Sequence, residues 1–298
     1  MHLTSNDLYL LSQCAISAAT QAGHLIARYA QTHVVVNTKN GGASLAAQVV
    51  TEVDHLSQDI ILKTLHPSCL IYDLALLSEE SPDDFQRLQK DYFWCIDPLD
   101  GTLPFIESVP GYSVSIALVS REGQSMLGVV YDPVTQTLYH AIQGQGTWQN
   151  TEKFTATTQT PSFSQTLTLI TDKSITQEAL YSAMLAELEN LASDLGYGGF
   201  KLKLQGGAAM NACHVLNDPA SCYFKFPKPH LGGGSIWDYA ATACLFAEAG
   251  LPVSDIHGQS LVLNPEGSTF MNHCGVLYAS NPTIADGMIG LYRKLNIG

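Results

Sequence analysis

Apolar residues recur three and four positions apart in several stretches of the chain, which is the spacing of an amphipathic helix. Residues 7–31 show the longest such pattern, and Ser5 or Asn6 could cap the start of that helix. A second helix is predicted from about Thr51 to Leu65. Shorter helical patterns cover residues 176–195, 207–217 and 237–250, the last with Gly250 as its C-terminal stop.

Other stretches show the patterns of strands. The run at residues 92–97 is apolar and ends in an aspartate, so it predicts a buried strand that delivers a carboxylate at its end. Thr, Ser and Gln dominate residues 150–166, so we expect two lobes, residues 1–155 and 156–298, to join there. Further strands are predicted at residues 112–119, 126–131, 138–141 and 222–226.

The composition limits the classes of function. The 298 residues carry a formal net charge of −13, so binding of a nucleic-acid polymer through a basic face is not expected. A small anionic substrate remains compatible, because bound metal ions can reverse the charge locally. Seven cysteines without a CxxC pair favour free thiols in a reducing cytoplasm over a disulfide framework or a zinc site. We expect no signal peptide and no membrane span, since no apolar run approaches ~20 residues.

The segment Asp97-Pro98-Leu99-Asp100-Gly101-Thr102 is the main candidate for chemistry. A predicted strand ends, the chain turns at the proline, and two carboxylates three positions apart can face one point. Hard oxygen ligands, the Leu99 carbonyl included, suit Mg²⁺. A helix that starts near Thr102 would offer free N–H groups to a phosphate. A plain Asp-Pro turn with a helix cap explains this isolated string about equally well.

Three other acidic segments could complete a metal site. They are Glu79-Glu80 after an apolar run, Thr51–Asp54, and Trp237-Asp238 at the start of an apolar helix. The first two are more often solvated ends of elements. An aspartate in the position of Asp238 is usually a helix cap. The helix that follows must however be buried, and a carboxylate at a buried helix start needs a partner such as a metal ion.

Together, and in this order, these segments resemble the inositol monophosphatase superfamily of Mg²⁺-dependent, lithium-sensitive phosphatases. The matching signatures are Asp97–Thr102, Trp237–Ala241, Glu79-Glu80 and Thr51–Asp54, and the resemblance extends from the first helix to about residue 280. It implies an α/β (α+β) fold, built as a layered αβαβα sandwich. It also implies a phosphoric monoester hydrolase acting on a small phosphorylated metabolite, and it favours a homodimer.

The resemblance implies a set of metal ligands. Glu79, Asp97 and the carbonyl of Leu99 are similar to the ligands of one Mg²⁺. Asp97, Asp100 and Asp238 are similar to those of a second, and two or three ions are expected.

It also implies how the phosphate and the attacking water are held. Gly101 and Thr102 match positions whose N–H groups contact the phosphate. Thr102, Asp54 and Glu79 match the group that orients the water. The reaction would then be an in-line attack by a metal-activated water.

Two substrate classes stay open. Lys225 matches an arginine of the family's nucleotidases and a glutamate of its inositol monophosphatases, so it slightly favours a 3'(2'),5'-bisphosphate nucleotide such as 3'-phosphoadenosine 5'-phosphate. The long loop Pro227–Ser235 favours the same class. The segment Gly207–Asn211 instead resembles the inositol monophosphatases, which makes Ala208 and Asn211 candidate contacts of inositol 1-phosphate or a sugar phosphate. Lys225 could also be a plain surface lysine.

Two other classes of protein match parts of the pattern. An inactive metal-binding scaffold would have lost a ligand or the threonine, and all of these are present. A phosphatase with an aspartate nucleophile would carry a DxD motif after its first strand, and none occurs. Lys39 and the Gly41–Ser44 loop are a candidate for a segment that closes over the site.

Overall fold

Two long helices form an outer layer over the first half of the chain. Helix α1 covers Ser5–Gln31 and helix α2 covers Leu45–Tyr72. The apolar face of α1 is buried against α2 and the sheet beneath it, as its periodicity predicts. Lys39 and the Gly41–Ser44 loop lie outside the described residues. The computed structural model describes residues 2–31, 45–157, 160–178, 180–229, 231–232 and 234–295.

Helix α2 is longer than the sequence predicts. The predicted end at Leu65 is wrong, because the helix continues through Pro67 for more than another turn. An interior proline costs a helix ~3 kcal/mol, and buried contacts beyond it offset this cost. Cys69 packs in the core, and Ser68 accepts a 3.0 Å hydrogen bond from the indole N–H of Trp94.

Among the described residues, the first sheet has seven strands, which lie side by side in chain order. Strand β1 is parallel to β2, and the remaining neighbours are antiparallel. A five-residue helix, α3 (Thr102–Ile106), follows β2. The strands are β1 Ala75–Ser78, β2 Tyr92–Asp100, β3 Ser113–Ser120, β4 Ser125–Asp132, β5 Thr137–Ile142, β6 Gly146–Gln149 and β7 Glu152–Lys153.

Strand β2 does not end at Asp97, as predicted, but continues to Asp100. Asp97 lies opposite Ser115 of β3 and Asp100 lies opposite Ser113, so β2 carries one extra residue between these pairs. The predicted turn at the intervening proline is therefore wrong. A β-bulge accommodates a residue without an N–H group in an otherwise paired strand, and it bends the strand where the two carboxylates lie.

In the part of the chain that the structure describes, the second sheet has five strands in the order β11-β12-β10-β8-β9. Its strands are β8 Leu167–Thr171, β9 Phe200–Leu204, β10 Ser221–Lys225, β11 Val253–Ser254 and β12 Val276–Ala279. The remaining helices are α4 Tyr181–Asp194, α5 Ala208–Leu216, α6 Ile236–Ala249 and α7 Pro282–Lys294. The helix predicted at 176–195 is shorter in the structure. A 3₁₀ turn covers Lys173–Gln177, and α4 begins only at Tyr181.

The elements stack in five layers, which confirms the predicted αβαβα sandwich. Helices α1 and α2 cover the first sheet, α5 and α6 lie between the sheets, and α4 with α7 covers the second sheet. The division into lobes at residue 155 stays a prediction, and α6, from the second half, packs directly on the first sheet. In the part of the chain that the structure describes, none of the helices has the length and apolar character to cross a membrane.

Candidate active site

Three aspartates from two elements meet between the sheets. Asp97 and Asp100 come from the end of β2, and Asp238 comes from the first turn of α6. One carboxylate oxygen of each lies within 4.8 Å of the others. Asp97 and Asp100 are 1% and 3% exposed, and Asp238 is half-buried. Residues far apart in sequence therefore form one acidic cluster, as their motifs predict.

Two further acids extend this cluster. Glu79 directly follows β1, and its N–H group donates to the carbonyl of Ile96 in the parallel neighbour β2 at 3.1 Å. Its carboxyl group shares a hydrogen bond with that of Asp97. Asp54, on α2, is buried, and its charge acts on Glu79. All of the carboxylates predicted for the site are thus brought together.

Burial and mutual repulsion raise the pKa values of these carboxyl groups. Desolvation is the largest cause in each case, followed for Asp97 by the charge of Glu79 and for Asp100 by that of Asp238. The pKa of Asp97 lies well above its usual range, and the pKa of Asp238 is also raised. The pKa values of Asp54 and Glu79 are raised to about 7, and that of Asp100 to about 8.

The donor set fits a divalent cation. Several carboxylates packed this closely in a low-dielectric interior are costly to ionise without a cation. A bound divalent ion would relieve their repulsion, and carboxylate oxygens are the hard ligands that Mg²⁺ prefers. The close approach of these buried carboxyl groups marks the place where positive charge is needed.

Local contacts hold the bulge of β2 in shape. The hydroxyl of Ser57, on α2, donates to the carbonyl of Pro98 at 2.7 Å in a buried position. The N–H group of Leu99 donates to Asp97 Oδ1 at 3.1 Å, and the Leu99 side chain is buried in the core under α1 and α2. Ser57 was not identified from the sequence, because nothing in a lone helical serine indicates a contact 41 positions away.

Asp100 also caps the start of α5. Its two carboxylate oxygens accept hydrogen bonds of 2.8 Å from the N–H groups of Ala208 and Ala209. The hydroxyl of Ser113 donates to it at 3.4 Å. Ala208, predicted as a substrate contact, thus lies at the cluster with its N–H group bound to Asp100.

Three glycines pack backbone against backbone beside Asp100. A Cβ added to Gly207 would lie 1.8 Å from the carbonyl oxygen of Gly111, and one added to Gly101 would lie 2.6 Å from the same atom. Gly101 and Gly207 also have φ angles of +86° and +79°, which side chains rarely adopt. Gly111 and Gly207 were missed as site residues. Gly207 had a sequence signal, because it begins the segment Gly207–Asn211, whereas Gly111 had none.

Thr102 is the first residue of α3, where a helix start was expected, and it is half-buried. Asp238 has a second role besides its place in the cluster. It is the N3 residue of a capping box, in which its Oδ2 accepts a 2.5 Å hydrogen bond from the N–H group of Ser235. Asp238 is therefore both a helix-capping residue and a carboxylate of the acidic cluster.

Lys225, at the end of β10, lies beside the cluster in an ion pair. Its Nζ is 3.0 Å from Asp172 Oδ2 and 5.6 Å from the ring centroid of Tyr239, whose hydroxyl shares a hydrogen bond with it. Burial opposes its charge, but Tyr239, Asp172 and Asp238 outweigh burial and raise the pKa of the ammonium group. Lys225 is 12% exposed, so the interpretation as a plain surface lysine is wrong.

Asn211 is 1% exposed and lies on α5. Its side-chain N–H donates to the carbonyl of Gln205, at 3.3 Å, and so ties α5 to the segment that follows β9. The structure gives this predicted substrate residue a contact that supports the backbone before Gly207.

Comparisons with known proteins agree with this architecture. The model of the inositol monophosphatase family matches residues 7–296. The Nus factor SuhB of Escherichia coli K12 is 30% identical over 280 residues, covering 94% of each chain. Human inositol monophosphatase 2 is 28% identical over 288 residues, covering 96% of this chain and 91% of the human protein.

Solved structures share the fold. Inositol monophosphatase-II from Staphylococcus aureus superposes with a TM-score of 0.74 at 19% identity, covering 98% of both chains. Structures of SaIMPase-II hold inositol monophosphate in one case and 2'AMP in another. The family match spans nearly the whole length and includes the motifs that form the acidic cluster. The chain therefore belongs to the inositol monophosphatase family, whose members are phosphatases that hydrolyse phosphomonoesters.

Proposed function

We propose that this protein is a Mg²⁺-dependent phosphomonoesterase that hydrolyses a small phosphorylated metabolite. The observation that carries the proposal is the buried cluster of Asp97, Asp100 and Asp238, with Glu79 beside it. These four side chains and the Leu99 carbonyl would hold two or three Mg²⁺ ions. Bound Mg²⁺ supplies positive charge to the phosphoryl oxygens and lowers the pKa of a water molecule.

The protein's own groups would position the reactants and accept a proton. Without metal, burial and the neighbouring acids raise the pKa values of Asp54 and Glu79 to about 7. Bound Mg²⁺ would lower these pKa values, so that both carboxylates are ionised and can accept a hydrogen bond or a proton from water. The Thr102 hydroxyl would orient that water together with them. The N–H groups of Gly101 and Thr102 would bind the phosphate, next to the glycine packing that fixes their backbone.

The substrate class rests on the surroundings of Lys225. Its charge slightly favours a bisphosphate nucleotide when the sequence alone is considered. The ion pair with Asp172 favours the alternative, a monophosphate of inositol or of a sugar, because much of the lysine charge is already balanced. Lys228, the next cation along the chain, is 3.6 Å from Glu178. The ligands of SaIMPase-II support a small phosphorylated substrate in general.

Phosphate release with Mg²⁺ or with EDTA tests this proposal. The substrates are 3'-phosphoadenosine 5'-phosphate, inositol 1-phosphate and fructose 1,6-bisphosphate. We expect Mg²⁺-dependent release that lithium inhibits, and faster release from inositol 1-phosphate than from the nucleotide. A preference for the nucleotide would make Lys225 a second-phosphate ligand. Release that EDTA leaves unchanged would contradict the metal-dependent mechanism. The homodimer and the cytoplasmic location stay predictions.

A further inference from the structure

A buried hydroxyl group that no motif identifies lies near the acidic cluster. Tyr223, on β10, is 0% exposed, and its hydroxyl has no hydrogen-bond partner among the residues that the structure describes. Buried tyrosine hydroxyls usually have a partner, because an unpaired polar group in a protein interior is costly. An unpaired hydroxyl in this position therefore points to a bound water molecule beside it.

The Tyr223 ring lies between the two sheets, on the face of β10 that packs toward α6. The ring stacks on that of Tyr278, with centroids 5.9 Å apart, and the Tyr278 hydroxyl donates to the carbonyl of Tyr239 on α6 at 3.2 Å. Lys225, two positions along β10 and hence on the same face, contacts the Tyr239 ring. Tyr239 follows Asp238 in the chain, so Tyr223 lies beside the first turn of α6, which belongs to the cluster.

The charges of the cluster act on this hydroxyl. Burial is the largest cause that raises the pKa of Tyr223 well above its usual range, and nearby ionisable groups, among them Asp238 and Asp100, raise it further. The phenol consequently keeps its proton at neutral pH and can donate a hydrogen bond. Asp238 comes from α6 and Asp100 from β2, so the hydroxyl is within electrostatic range of both elements that supply the three aspartates.

The carboxylates of Asp100 and Asp238 are the acceptors best suited to this donor. A carboxylate has about four acceptor sites, and the hydrogen bonds from backbone N–H groups and from Ser113 leave sites on both. Another polar group nearby, the Tyr239 hydroxyl, already shares a hydrogen bond with Lys225. Buried polar groups that are too far apart for a direct hydrogen bond are commonly linked by an ordered water molecule.

We propose that Tyr223 is a positioning residue of the metal site. Its hydroxyl donates to an ordered water molecule that donates in turn to the carboxylates of Asp100 and Asp238, and so holds them in the orientation that binds Mg²⁺. Hydrogen bonds to metal ligands from outside the ligand set typically change metal affinity by about 10–100-fold. The role of Tyr223 rests on the proposed metal-dependent function and extends it to a residue outside the acidic segments.

The test measures Mg²⁺ binding without substrate. Melting temperatures recorded over a series of Mg²⁺ concentrations give the Kd, because a ligand of the folded state stabilises it in proportion to its occupancy. In Tyr223→Phe, which removes only the hydroxyl, we expect the Kd for Mg²⁺ to rise about tenfold. The melting temperature in EDTA stays close to that of the wild type, because the hydroxyl has no protein partner to lose. The Mg²⁺ concentration that gives half-maximal phosphate release rises by the same factor as the Kd.

Tyr139→Phe is the matched control. The buried Tyr139 hydroxyl accepts a 3.0 Å hydrogen bond from Asn217, which lies at the C-terminal end of α5, whereas Asp100 caps the start of that helix. We expect Tyr139→Phe to lower the melting temperature in EDTA and to leave the Kd for Mg²⁺ unchanged. The two variants thus separate a role at the metal site from a role in stability.

A wild-type Kd for Mg²⁺ in Tyr223→Phe overturns the role of Tyr223 and leaves the proposed function in place. The same Kd together with a lower melting temperature in EDTA also overturns it, because the hydroxyl then has a structural role only. A wild type that neither binds Mg²⁺ nor shows Mg²⁺-dependent phosphate release overturns the proposed function and the role of Tyr223 with it.

Discussion

Asp100 meets several structural demands at once. It belongs to the acidic cluster, and it also accepts the first N–H groups of α5 from Ala208 and Ala209. Hydrogen bonds from these N–H groups lower the pKa of Asp100, but desolvation raises it more, and the pKa is about 8. A carboxylate bound by protein N–H groups on one side keeps a fixed orientation for a cation on the other. At the scale of single residues, the site is therefore preorganised by backbone contacts.

Gly207→Ala tests the close packing of backbone that supports Asp100. The added Cβ would lie 1.8 Å from the Gly111 carbonyl oxygen, and φ is +79°. We expect a loss of at least about 2 kcal/mol in the free energy of unfolding. Denaturant unfolding measures this loss. Gly290→Ala is the control, because no atom lies within 4 Å of its added Cβ. Equal stability of the two variants would show that the backbone approach is not tight.

At the scale of elements, the bulge at the end of β2 places two carboxylates of one strand at one point. Asp97 and Asp100 would otherwise be separated by a regular strand, on which residues three apart face opposite sides. The extra residue in the bulge corrects this, and Ser57 of α2 holds the bulge from outside the sheet. The geometry of the cluster thus depends on a contact between α2 and β2.

Ser57→Ala tests that contact. The buried carbonyl of Pro98 loses its donor, so we expect a stability loss of about 1–3 kcal/mol. Because the bulge can then shift, kcat/KM is also expected to fall about tenfold. Thermal unfolding and steady-state kinetics measure the two effects. Ser17→Ala, at an exposed position of α1, is the control. Loss of stability with full activity would mean that the bulge keeps its shape without Ser57.

The elements differ in how far the sequence predicts them. Helices α1, α5 and α6 lie within two residues of their predicted bounds. Helix α1 has clear apolar periodicity, and the apolar helices α5 and α6 are delimited by Gly207 before α5 and Gly250 after α6. Strands β8, β9 and β12 and helix α7 were not predicted. Helix α7 did have a signal, since Asn281 caps it with a 3.0 Å hydrogen bond from Ile284 N–H and Pro282 begins it.

The sequence predicts which residues form the candidate site, but it does not predict the contacts that those residues make. Asp97, Asp100 and Asp238 stand in recognisable motifs, so their types and order indicated a metal site. Asp172 carries no such motif, because its contact with Lys225 arises only when β8 meets β10. Gly207 stands in a segment that resembles the family, but its close approach to Gly111 arises only when α5 meets the loop before β3. Contacts between residues that are far apart in sequence leave no periodic pattern of apolar residues from which they could be predicted.

At the scale of the whole molecule, the acidic cluster links stability to pH and metal. The pKa of Asp100 rises from an ordinary value of 3.8 to about 8, and that of Glu79 from 4.5 to about 7. Without metal, the folded protein then binds more protons than the unfolded chain between about pH 4 and pH 8. Its stability must therefore fall as pH rises through this window.

Melting temperatures measured in EDTA from pH 5.5 to 8.5 test this linkage. We expect the melting temperature to fall with rising pH, and Mg²⁺ to restore more of it at pH 8.5 than at pH 5.5, because Mg²⁺ binds the ionised carboxylates. Each kcal/mol corresponds to about 2–4 °C in a large domain. Asp100→Asn should flatten the curve in EDTA. A pH-independent melting temperature of the wild type in EDTA would contradict the raised pKa values.

We propose that the carboxylates between the two sheets bind Mg²⁺ and support phosphoester hydrolysis. The most direct measurement is Mg²⁺-dependent phosphate release by the wild type, Asp97→Asn and the exposed control Asp286→Asn, with folding checked by circular dichroism. We expect Asp97→Asn to lose more than ~100-fold in kcat/KM, beyond the loss typical of outer-shell partners, and the control to match the wild type. Full Mg²⁺-dependent activity in a folded Asp97→Asn protein would contradict the claim.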